Sequence, residues 1–182
     1  MRILSCLGFL FGILAGPAMA ASTAWLEALA RQPAPAESTL APAWVLLDET
    51  AMEVDEQGFF TETHRVAIRL RINAGRSYAR GGVSYNGKSD KVQSVGAWLI
   101  RKGKIVQDKT GSDWVDHVDG SEGSIIDEMR KREIDLSEFA LGEDVFGYET
   151  RIRGPLLVAQ VGDVFGYSIP VLEESFRLTL PV

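Results

Sequence analysis

Between Phe59 and Ile72 the sequence alternates as a β-strand must when one face is buried and the other is wet. Phe60, Val66, Ile68, Leu70 and Ile72 share one parity, and Thr61, Thr63, Arg65, Arg69 and Arg71 share the other. Wound as a helix, the same residues would scatter around the whole circumference. As a strand they form one apolar stripe, and that stripe requires a second layer to cover it. His64 falls on the apolar parity. A catalytic or ligating role would need converging partners, and the only other histidine, His117, is far away in sequence. The expectation is therefore a partly buried ring with one satisfied hydrogen bond.

The chain supplies further strands for this stripe. Period two begins at Trp44-Val-Leu-Leu47, continues through Ala51 to Val54, and is closed by the polar turn Asp55-Glu-Gln-Gly58. Met129 to Leu136 reads as a charged strand. Val145 to Ile152 sets Phe146, Tyr148 and Ile152 against Gly147, Glu149 and Arg151. Glu174 to Leu180 puts Phe176, Leu178 and Leu180 on one face, with the character of an exposed edge. Asp-Val-Phe-Gly-Tyr occurs at 144–148 and again at 163–167, too short a repeat for a solenoid and read as two strands with similar packing needs. Val92 to Ile100 is apolar on both parities, with Val95, Ala97 and Leu99 against Trp98 and Ile100, which predicts a strand covered on both faces. Helical spacing also fits through Val92, Val95 and Leu99. Gly96 in mid-run and the compact turn Arg101-Lys-Gly-Lys104 before Ile105 select the strand. The fold class expected is all-β, a two-layer antiparallel β-sandwich, with a short helix N-terminal to it.

That choice settles a motif. Gly82, Gly87, Lys88 and Ser89 stand in the order G-x-x-x-x-G-K-S, the spacing of a phosphate-cradling P-loop. The chemistry needs a buried strand just before the glycine loop and a helix just after it, whose first N–H groups hold the phosphates. Here a Gly/Arg-rich loop, Asn73 to Gly82, precedes the match and a strand is expected to follow, so nucleotide binding is set aside. Arg76 and Arg80 in that loop could form an anion cradle, but the preferred reading is a solvated connection. Between Gly111 and Glu128 six acids crowd together: Asp113, Asp116, Asp119, Glu122, Asp127 and Glu128. An EF-hand register anchored on Gly120 fails, since Val115 and Ile126 fall on ligand positions. A calcium site of another kind remains the alternative to a solvated acidic loop. No catalytic, cofactor-binding or metal-ligating residue is assigned.

The first twenty residues read as a signal peptide. Arg2 is the basic n-region, Ile3 to Gly16 the apolar core, and Ala18-Met19-Ala20 the cleavage site. Cleavage after Ala20 would leave 162 residues, Ala21 to Val182, exported to the periplasm or beyond, without a membrane span. Cys6, the single cysteine, would leave with the leader, so the mature chain has no thiol for a disulfide, a metal cluster or a nucleophile. Its 18 basic and 25 acidic residues give a net charge of −7, the wrong sign for a broad nucleic-acid or anionic-lipid surface. Residues 21–41 read as a short helix after Ser22-Thr23, with Trp25, Leu26 and Leu29 at helical spacing, followed by a proline-rich linker. Residues 42–182 read as the sandwich.

Three stretches in order resemble the domain of unknown function 3857, a bacterial exported β-rich domain usually found ahead of a transglutaminase-like domain. They are SYNGKSDKVQSVGAWLIRKGKIV (84–106), SIIDEMRKREIDLSEFALGEDVFGYET (124–150) and IPVLEESFRLTLP (169–181). The resemblance covers roughly Ala41 to Val182. It departs where Asp163-Val-Phe-Gly-Tyr167 replaces the family's usual Trp or Gln-flanked Phe before Pro-Val, and the chain stops where the family's domain would run on to its partner. It implies a β-rich fold and a transglutaminase-like neighbour, but it transfers no residue of that neighbour's Cys-His-Asp arrangement. The leading functional expectation is a non-catalytic module that packs against, or presents substrate to, such a domain. The alternative is a free-standing periplasmic peptide- or glycan-binding protein stacking ligand on Tyr78, Tyr85, Trp98 and Trp114, of which Trp98 is expected in the core instead. A third class, an enzyme acting through the acids between Asp113 and Glu128, finds no fixed carboxylate separation in the sequence.

Overall fold

The computed structural model describes residues 22–34, 40–119, 128–157 and 166–182. The leader, the centre of the proline-rich linker, Glu122, Asp127 and the first part of the second Asp-Val-Phe-Gly-Tyr lie outside the described residues. The fold is all-β with one short helix. In chain order it comprises α1 (Ala24–Arg31), β1 (Ala43–Val54), β2 (Phe59–Leu70), β3 (Arg80–Asn86), β4 (Lys91–Arg101), β5 (Lys104–Thr110), β6 (Val115–Val118), β7 (Met129–Asp135), β8 (Val145–Pro155) and β9 (Glu174–Thr179). A six-stranded sheet runs β5-β4-β8-β2-β1-β9, and a three-stranded sheet runs β3-β7-β6. All pairings are antiparallel except β1 with β9, which is parallel.

The expected local chemistry closes the hairpins. At the β1–β2 turn Asp55 Oδ1 accepts from the backbone N–H of Gln57 (3.1 Å) and Phe59 (2.9 Å), while Gly58 takes φ +77°. β4 and β5 are joined by Lys102 and Gly103, both at positive φ, the two-residue turn whose twist matches its strands. The Gly82–Ser89 match is the end of β3 and the turn that leads into β4, so no helix follows it.

The two sheets enclose the main core. Val66, Ile68 and Leu70 of β2 meet Phe146, Tyr148 and Ile152 of β8 and Val95, Ala97 and Leu99 of β4, with Val83 and Ile134 of the small sheet opposite. The expected apolar parity of β2 is this inner face. Its other parity is not wet throughout: Ala67 and Arg69 are buried beneath α1. The helix places Leu26 on a second cluster formed by Leu46, Ala67, Trp98, Ile100 and Val145. β4 is thus covered on both faces, as its sequence predicts, and the outer cover is α1.

Two features make this docking possible. A Cβ on Gly147 would lie 2.4 Å from Leu26 Cδ1, so only glycine leaves room for the leucine. Arg69 Nη2 donates to the carbonyls of Leu29 (3.3 Å), Ala30 (3.1 Å) and Gln32 (2.8 Å), satisfying the orphan acceptors at the helix end and placing positive charge at its negative pole. At the other end Ser22 Oγ accepts from Ala24 N–H (3.4 Å), whereas the Thr23 hydroxyl turns to Glu27 (2.9 Å).

Asp144, fully buried, accepts two bonds from Arg101 (2.9 and 2.8 Å) and one from Leu141 N–H (2.8 Å). This pair joins the β4 end to the loop entering β8.

Replacing Gly147 with alanine should cost about 1–3 kcal/mol through overpacking against Leu26. In a Leu26→Ala background the same substitution should cost markedly less. Urea unfolding of the four proteins checks the coupling, and equal costs in both backgrounds would show that α1 does not sit on Gly147.

Candidate functional site

The strongest polar constellation inside the sandwich forms around Asp48, where a bulge alters the alternation of β1. Val45 pairs with Ile68 on the inner face; the register then shifts, and Leu47 pairs with Ala67 and Asp48 with Val66. Leu46 and Leu47 therefore both serve the outer cluster, and Asp48 turns inward. There His64 Nε2 stands 2.7 Å from Asp48 Oδ1; the carboxylate can only accept, so the ring donates. The Tyr167 hydroxyl donates to the other oxygen, Oδ2. Tyr148 meets the His64 ring edge-on with centroids 5.5 Å apart. One carboxylate thereby joins β1, β2 and the segment leading to β9, with β8 packed against it.

The electrostatics follow from burial and hydrogen bonding. Burial pushes the Asp48 carboxyl up, but the hydrogen bonds from His64 and Tyr167, with the charge on His64, together outweigh it and hold the group below its ordinary value. Burial first, and then Asp48, through its charge at Tyr148 and through its hydrogen bond and charge at Tyr167, raises both phenols, so both remain protonated. A carboxylate orienting an imidazole is the acid–base half of a hydrolytic triad, and Cys6, the chain's single thiol, lies outside the described residues.

His64 is the one member that sequence alone singled out, and its expected state, a partly buried ring held by a hydrogen bond, is the one observed. Asp48 was missed because the parity counted from Val45 points it outward. Tyr167 was read as part of a strand, but it lies outside any strand.

The other singled-out residues do not converge on a site. Arg76 donates to the carbonyls of Ser137 (2.9 Å) and Glu138 (3.2 Å), and Arg80 pairs with Asp135 at 2.9 Å, so the anion cradle is not assembled. In the acidic stretch Asp116 accepts from Tyr85 (2.6 Å), Arg130 (2.9 Å) and Arg132 (3.2 Å). Burial raises its pKa, but these bonds prevail and hold it low. Asp119 accepts from Ser84 (3.0 Å), Asp113 caps a single 3₁₀ turn, and Glu128 pairs with Lys88 of the P-loop-like match. Asp116 and Asp119 are thus tied to the small sheet and Asp113 to β5, and among the described residues no group of three or more His, Cys, Asp or Glu is arranged to hold a metal ion. Trp98, Trp114 and Tyr85 are buried, and Tyr78 packs against the core with its hydroxyl 3.4 Å from Ser168 Oγ. No described helix is long and apolar enough to cross a membrane.

Two packed sheets with a helix on the outer face and a polar knot inside define a β-sandwich module. Residues 56–182 match the family model described as "Domain of Unknown Function with solved-structure structure (DUF3857)", and the chain belongs to this family. The fold is similar to part of the crystal structure of a "putative protease" from Parabacteroides distasonis ATCC 8503. The TM-score is 0.65 at 13% identity, over 77% of this chain and 29% of that one. The chain thus spans less than a third of that protein's length. An aminopeptidase A from Legionella pneumophila in complex with aspartic acid aligns with a TM-score of 0.26 and 6% identity, over 64% of this chain and 11% of that one, too low to carry an argument. No curated protein matches the sequence.

A carboxylate whose folded pKa is depressed binds fewer protons than in the unfolded chain. Its contribution is therefore present above the ordinary value of 3.8 and lost as pH falls through the folded value. Asp48→Asn should cost about 1.5–3 kcal/mol near neutrality, where charge-assisted bonds are lost. The difference from wild type should shrink below pH 3.8. Urea titrations at several pH values check this, and a pH-independent gap would remove the charge of Asp48 from the account.

Proposed function

We propose that the chain is an exported, non-catalytic β-sandwich module that packs against, or presents substrate to, a transglutaminase-like domain on the same longer protein or on a separate one. Family membership supports the reading, as does the recurrence of the fold as one part of the longer Parabacteroides protein described as a "putative protease". The observation that carries it is the β9 edge. Among the described residues β9 pairs with β1 on one side only, and Leu178 on it and Leu180 just beyond it stand 37% and 60% exposed. Isolated sheets blunt such edges with charge or cover, whereas a module designed to be covered by a neighbour has no need to. The aromatic residues that a free-standing glycan binder would use for stacking are largely packed in the core. The signal-like leader of the sequence supports the periplasm or the medium as the module's compartment.

The native protein, recovered from the exported fraction with an antibody against residues 84–106, tests this by intact and native mass. The expected result is a species larger than Ala21–Val182, joined to or complexed with a second domain. Leu178→Asp should preserve the circular dichroism spectrum and weaken that association. A lone chain of 162 residues that itself cleaves or transfers peptides would overturn the reading.

A further inference from the structure

A cavity of about 350 Å³ opens where β5 ends, and it is lined by every residue from Val92 to Gly96. Successive residues of a strand point to opposite faces of its sheet. β4 is bulged at Gln93, where its register against β8 shifts, yet a cavity touching five residues in a row takes in both faces and so lies along the strand's edge. β8 occupies the other edge of β4. β5 pairs with β4 only as far as Thr110, opposite Gly96. Among the described residues, nothing pairs with the β5 side of Lys91–Val95. The result is a short row of unpaired backbone donors and acceptors beside a concave space, which is what an incoming strand requires.

Two charges flank this row on opposite faces. Arg132 of β7 shares the parity of buried Ile134 and points between the sheets. Its Nη2 donates to Asp116 (3.2 Å), while its buried Nε has no hydrogen-bond partner. A guanidinium with donors to spare suits a carboxylate. Asp108 stands opposite Trp98 and so lies on the outer face, exposed. An extended chain laid along the edge would direct alternate side chains to these two groups.

We infer that this edge binds an extended peptide, which adds a strand to β4 beside Val92–Val95, places an acidic side chain against Arg132 and directs the neighbouring basic side chain to Asp108. The binding requires no catalytic partner, so it stands or falls separately from the module reading.

The test is an NMR titration of the ¹⁵N-labelled chain with the acetylated, amidated heptapeptide Thr-Val-Thr-Glu-Lys-Val-Thr. The expected result is shifted amides and slowed hydrogen exchange from Val92 to Gly96. Affinity should fall roughly tenfold when Glu and Lys in the peptide are both replaced by Gln, and by a similar factor for Asp108→Asn, whose exposed site leaves the fold intact. Methylating the alternate peptide nitrogens that face β4 should abolish binding, whereas methylating the other alternate set should leave it. Equal binding of both methylated peptides, protection confined to β9, or no response at millimolar peptide would each overturn the proposal. Protection that appears without peptide as protein concentration rises would also overturn it, assigning the edge to a second copy of the chain.

Discussion

The structure depends on β8 being buried on both faces. The strand lies at the interior of the six-stranded sheet between β4 and β2, and every residue from Val145 to Thr150 is buried. Its inner parity, Phe146, Tyr148 and Ile152, faces the small sheet, while Val145 and Gly147 lie under α1. Full burial of apolar side chains is the main stabilising term in a domain without covalent cross-links, and here the outer layer comes from a helix of eight residues. Such a helix is unstable alone, so it forms because the sheet offers it a glycine groove and an arginine for its last carbonyls. Sheet and helix thus require each other.

The charged groups obey the same constraint. A buried charge is tolerated only when paired and hydrogen-bonded. Asp144 meets that condition through Arg101, and Arg69 through three carbonyls of α1 and the charge of Glu143, which offsets the lowering of its pKa by burial. Asp48 meets it through His64 and Tyr167. Each of these knots joins segments distant in sequence: β4 to the loop before β8, β2 to α1, and β1 to the C-terminal segment. They fix which elements meet, adding to the register that the buried apolar faces already specify.

The surface has a different logic. β9 and the free part of β4 both leave backbone groups unpaired among the described residues, but their chemistry differs. β9 carries exposed leucines suited to a flat, apolar partner. The β4 edge opens on a concavity flanked by an arginine and an aspartate, suited to a single extended chain.

The sequence by itself determined the β class, the hairpins and the inner stripe of β2, because period two and turn chemistry are local properties of the backbone. It also showed that β4 is covered twice, through apolar residues on both parities, and it placed His64 in a partly buried, hydrogen-bonded setting. The tertiary structure alone decided what the outer cover is, because the match of Leu26 to Gly147 joins residues more than a hundred positions apart. It decided that, of the crowded acids, Asp116 belongs to ion pairs with Arg130 and Arg132 of β7 and Glu128 to one with Lys88. It also decided the partner of His64, since one bulged residue at Leu46 reverses the facing of Asp48, and a bulge is set by the competition of two clusters for Val45, Leu46 and Leu47, which no count along a single strand can weigh.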